Sequence, residues 1–128
     1  MSTRHEIREK IVFALYQHLL LHKDINECFS DNFEDTDEFA EQIRNDLVNN
    51  KESYIEEISK YLSGWKLSRI SKVNHAILLL SFYEIKNIDE IPYSVSINEA
   101  VELAKKYSGK EDAAFINGVL GSYVRSFE

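Results

Sequence analysis

From Ala76 to Tyr83 the chain reads Ala-Ile-Leu-Leu-Leu-Ser-Phe-Tyr, apolar all round a helix and broken only by Ser81. Such a segment offers water no face, so the remaining chain must enclose it. It is far shorter than the roughly 20 residues of a membrane span, so the enclosure is by protein and membrane insertion is excluded. Ile70 and Val73 precede it at helical spacing, which favours a central helix over a β-strand.

The flanking segments supply amphipathic partners. Thr3 and Glu6 have capping-box spacing and predict a helix start, followed by a stripe of Ile7, Ile11, Ala14, Leu15, His18 and Leu21. A second stripe, His5, Glu9, Val12, Phe13, Tyr16 and Leu20, gives this helix two faces to satisfy. Ile25, Phe29 and Phe33 recur at four-residue intervals in an acidic stretch, as a short helix or an ordered loop. Phe39, Ile43 and Leu47 predict a helix over about 37–48, and Tyr54, Ile55, Ile58, Tyr61 and Leu62 another ending near Gly64. Pro92 breaks the pattern after the central segment. Ser96 and Glu99 repeat the capping-box spacing and predict the start of a helix that turns Ile97, Ala100, Val101 and Ala104 inward and ends at Gly109. In the last helix, Ala114, Gly118 and Gly121 share a side, predicting a small-residue strip against which a second helix packs. With no alternating run and no repeat of fixed period, the fold class is all-α.

At 128 residues the chain is one domain. Its single cysteine, Cys28, excludes an internal disulfide, and its first residues lack the apolar core of a signal peptide, which points to a cytoplasmic protein. The net charge of −7 is unevenly spread: residues 1–23 carry +2, 24–62 carry −9, 63–88 carry +3 and 89–128 carry −3. A helix at +2 on an acidic chain binds phosphate weakly unless a basic partner adds contacts.

Common catalytic signatures are absent, including phosphate loops, Cys-x-x-Cys and Gly-x-Ser-x-Gly, so no catalytic residue is assigned. His18 and His22, with Cys28 near, have ligand-like spacing but no fourth ligand, and no metal or cofactor is assigned. Glu84 reads as an unpaired, exposed acid at a helix end, and Trp65 as a core anchor. Arg4, His5, Arg8 and Lys10 could neutralise phosphates, with Phe13 and Tyr16 able to stack bases or fill a partner's pocket.

The second half carries a more specific signal. Tyr83-Glu84, Ile91-Pro92, the run Val95-Ser96-Ile97-Asn98-Glu99-Ala100-Val101-Glu102-Leu103-Ala104-Lys105, and Phe115-Ile116-Asn117-Gly118-Val119-Leu120 resemble the NusB transcription antitermination family, as do Arg8-Glu9 and Ala14-Leu15-Tyr16 in the first helix. The resemblance implies a compact bundle of about seven helices in two antiparallel subdomains, about 1–64 and 65–128, without catalytic activity. It implies binding of boxA-type single-stranded leader RNA together with NusE, a small ribosomal-subunit protein, within the RNA polymerase antitermination complex of ribosomal RNA operons. Some members of the family also form homodimers. Carried over by position, Arg4, His5, Arg8, Tyr16, Glu111 and Phe115 are RNA-binding, and Tyr16 and Glu84 meet the protein partner. Two other readings remain open on residues alone: a helical accessory domain of an RNA-modifying enzyme, and a homodimeric scaffold using the Phe13/Tyr16 face.

Overall fold

The structure, a computed structural model, describes residues 2–128. Its helices are α1 (Arg4–Leu21), α2 (Ile25–Asn32), α3 (Glu38–Ser59), α4 (Lys72–Asn87), α5 (Tyr93–Tyr107) and α6 (Lys110–Arg125), with a 3₁₀ turn at Leu67–Arg69 and no strand among the described residues. The all-α expectation holds. Every residue of α4 from Asn74 to Ile85 is buried, enclosed by α1, α3, α5 and α6. The aromatic floor of this core is Phe82 stacked on Tyr123 of α6, ring centroids 4.0 Å apart.

Six α-helices replace the expected seven because 37–48 and 54–62 belong largely to one continuous helix. The buried residues of α3, Ile43, Leu47, Tyr54 and Ile58, keep one face in register through the polar stretch 49–53, which merely points at solvent. The stretch after Asp24 resolves as helix, with the Asp24 carboxylate accepting the Glu27 N–H.

The helix after Pro92 also starts earlier than expected. The Pro92 carbonyl accepts the Val95 N–H at 3.0 Å, so α5 begins at Tyr93 and Ser96 lies inside it, buried, rather than at its cap. Gly109 closes α5 as expected: at φ 110°, a conformation reserved for glycine, its N–H reaches the Ala104 carbonyl at 2.9 Å while α6 starts at the next residue.

Three packing expectations are corrected. The strip of Ala114, Gly118 and Gly121 does not receive another helix: a Cβ at Gly118 would meet nothing within 4 Å, and one at Gly121 only the Arg125 side chain. Trp65 is no core anchor but 61% exposed, because Ser63 and Gly64 both turn left-handed just before it and carry the chain outward. Leu21 is exposed at the end of α1, where the helix runs past its packing partners.

Candidate nucleic-acid interface

The start of α1 is fixed by its capping box: the Thr3 hydroxyl accepts the Glu6 N–H, and the Glu6 carboxylate accepts the Thr3 N–H, each at 3.1 Å. The Thr3 N–H and the Thr3 hydroxyl, both donating to the Glu6 carboxylate, hold that carboxyl below the usual carboxylate range. Arg4 is thereby presented at the surface, its guanidinium 4.0 Å above the Phe39 ring of α3. His5, one residue on, is exposed and lies 2.7 Å from the Glu99 carboxylate of α5.

Arg8 faces the other way, and here the expectation of a surface cation is corrected. It is 3% exposed and grips Glu84 of α4 through two hydrogen bonds of 2.9 and 2.7 Å. Glu84 is correspondingly no exposed, unpaired acid: it is 2% exposed, and the Ser96 hydroxyl donates to it at 3.1 Å. The physical reason is desolvation, since two charges enclosed together need each other and every remaining lone pair filled. Arg8, Glu84 and Ser96 thus tie α1, α4 and α5 together beneath His5. Neither Arg8 nor Glu84 presents its charge to the surface.

Tyr16 is half-buried on α1, packed against the core. Towards α5, Glu9 accepts from Lys106 at 2.8 Å and from Tyr107 at 2.5 Å, and these bonds hold its carboxyl low. Phe13 meets Tyr107 edge to face, centroids 5.3 Å apart. Both aromatics stay part-exposed, so the α1–α5 seam ends in an apolar strip.

Glu111 and Phe115 sit in the first two turns of α6. They line a groove of about 310 Å³ together with Trp65, Arg69 and Asn74. No hydrogen bond or ion pair among the described residues links this groove to Arg4, His5, Arg8 or Tyr16. Trp65, Arg69 and Asn74 were missed. The signal for Asn74 was present: it is a polar residue at the third position of α4, just ahead of the apolar run Ala76–Leu80.

His18 does not pair with His22. Its Nδ1 meets the Lys23 carbonyl at 2.5 Å and its Nε2 meets the Lys51 amine at 2.7 Å, while burial, chiefly, pushes its pKa down. No group of three His, Cys, Asp or Glu suited to a metal ion occurs among the described residues. None of the described helices is long and apolar enough to cross a membrane.

The NusB family model matches residues 5–125. The transcription antitermination protein NusB of Bacillus cereus is 43% identical over 123 residues, covering 93% of this chain and 95% of that protein. Matches of higher identity are shorter and span about half the length of the relatives concerned. Among solved structures, T. maritima NusB superposes with a TM-score of 0.89 at 28% identity, over 97% of this chain and 92% of that one. A chain from the crystal structure of antitermination factors NusB and NusE in complex with dsRNA shares the fold, with a TM-score of 0.77 at 24% identity over 96% of both chains.

Proposed function

Because this chain belongs to the NusB family, we propose that it is a transcription antitermination factor that binds boxA-type single-stranded leader RNA jointly with NusE. It acts by binding, without catalysis, in the cytoplasm, and joins the RNA polymerase complex that transcribes ribosomal RNA operons. The observation that carries this reading is the match to a NusB protein over nearly the full length of both chains.

The exposed guanidinium of Arg4 and the imidazole of His5 face the RNA backbone from α1, and Glu111 and Phe115 face a base of the RNA from α6. Tyr16 lies towards the partner and the RNA. Arg8 and Glu84 serve from inside, as the pair that fixes α1 on α4 and so positions Arg4 and His5. The chain divides functionally near Gly64, with the α1 surface in the first part and the α6 groove in the second.

Fluorescence anisotropy of a boxA-type RNA and a scrambled RNA, with and without NusE, tests the reading. A sequence-dependent gain in affinity on adding NusE is the expected result, and its absence rules out joint recognition. A homodimeric scaffold is the second reading, favoured by the exposure of Phe13, Leu20 and Leu21 on α1. Sedimentation equilibrium separates the two, since a scaffold requires a dimer that forms without RNA or partner.

A further inference from the structure

The groove between the first turns of α4 and α6 has features that the fold does not use. Asn74 is 4% exposed, and while its backbone N–H is taken by the Ser71 hydroxyl, its carboxamide makes no hydrogen bond to any described residue. The Oδ1 atom has neither solvent nor a protein donor. Buried polar groups are nearly always paired, so a free carboxamide lining a groove points to a ligand. Beside it stands Trp65, the only tryptophan of the chain, with 61% of its surface in solvent. Holding so large an apolar surface in water is unfavourable unless something covers it.

We propose that this groove takes one splayed-out base of the RNA, stacked on Trp65, hydrogen-bonded by the Asn74 carboxamide and selected as amino-bearing, adenine or cytosine rather than uracil, by the acidic wall of the groove. The inference rests on the RNA-binding reading above and adds which residues read a base and which bases they accept. A carboxamide sets an acceptor and a donor side by side, so it pairs with an exocyclic amine next to a ring nitrogen and equally with a carbonyl next to a ring N–H, and it holds a base edge without choosing it. The other walls make the choice. Glu111 and Asp112 bring two further carboxylate acceptors to the groove, which favour an amine and oppose the two carbonyls of uracil. The same carboxylates repel phosphate, so the base enters while Arg69 at the groove holds the backbone outside. Phe115, half-buried, lines the same groove and brings a second aromatic side chain to it. The volume of about 310 Å³ lies at the small end of ligand sites.

Because Trp65 is the sole tryptophan, its fluorescence reports this groove alone in the chain. The full chain is titrated with a boxA-type RNA in the presence of a tryptophan-free NusE, following Trp65 emission and RNA anisotropy together. Each base of the RNA is replaced in turn by an abasic unit or by uracil. Wild-type RNA should quench Trp65, and one adenine or cytosine position should abolish the quench when replaced. Trp65→Leu should weaken binding about ten- to hundredfold, the range expected for losing one stacked base. Asn74→Leu should weaken binding at that one position for every base without lowering Tm, because no internal hydrogen bond is lost, and Glu111→Gln together with Asp112→Asn should erase the preference against uracil. Asn74→Ser, smaller and still polar, should weaken binding at the same position less and guards against a packing artefact. RNA that binds with unchanged Trp65 emission and wild-type affinity for Trp65→Leu overturns the base slot and leaves the RNA-binding reading intact. Emission that responds to NusE alone identifies the groove as a protein contact and also overturns it. Absence of RNA binding by both readouts overturns the slot and the reading together.

Discussion

Removing the carboxylate of Glu84 leaves the Arg8 guanidinium inside the protein without its hydrogen-bond partner, with only the Glu99 carboxylate 3.8 Å away. Glu84→Ala is expected to cost about 3–5 kcal/mol of stability, measured by urea denaturation. The double variant Arg8→Met/Glu84→Leu, which replaces both charges by apolar side chains, should recover most of that loss. A different outcome, full stability with Glu84→Ala, would show the pair to be exposed in solution. Neither side chain's burial was legible in the sequence: the partners are 76 residues apart, and an acid at the end of an apolar helix looks like a solvated one. His75 offers a second test. Burial, reinforced by the nearby cations Lys72 and Lys51 and by His18, pushes its pKa down from the ordinary 6.5 to about 4. The unfolded chain therefore takes up a proton at higher pH than the folded one, so stability is full above about pH 6.5 and falls as the pH drops towards 4. The contribution is about 2 kcal/mol between pH 7.5 and pH 5. His75→Leu should flatten the pH dependence of urea midpoints by that amount, and an unchanged slope would mean the imidazole reaches water.

At the scale of the helices, periodicity carried far. The caps at Thr3 and Gly109, the buried central helix and the inward residues Ala100 and Ala104 follow directly from spacing. Boundaries were less legible where composition and periodicity disagreed. The polar stretch 49–53 looked like a connection, yet the buried face of α3 runs through it unbroken. Asn50→Pro decides between the two: inside a continuous helix it removes a hydrogen bond and clashes with the preceding turn, for a loss of about 3 kcal/mol or more, whereas in a loop it would be nearly neutral. The glycines of α6 failed for another reason, because a helical projection shows which residues share a side but not what stands opposite. Gly118 has helical backbone and open space at its Cβ position, so Gly118→Ala should stabilise the protein by about 0.5–1 kcal/mol in thermal or urea unfolding. Nothing within the chain explains a glycine there.

For the whole molecule, the distribution of charge governs how RNA is held. The chain carries −7, with the surplus of acid concentrated between residues 24 and 62, so its long-range field opposes a polyanion. The α1 surface counters this with little: Arg4 is free to meet phosphate, His5 is engaged by Glu99, and Arg8 is spent on Glu84. A surface making about two phosphate contacts to single-stranded RNA has a slope of log Kobs against log salt of about −1.4. The chain alone should therefore bind boxA-type RNA weakly and with a shallow salt dependence, while the complex with NusE should show a steeper slope as the partner adds cations. Arg4→Ala should reduce the slope of the chain alone by about 0.7, the share of one phosphate. Anisotropy titrations between low and physiological salt measure these slopes. A value of about −3 or steeper for the chain alone requires roughly four phosphate contacts, more than this face offers, and would move the main RNA surface away from α1.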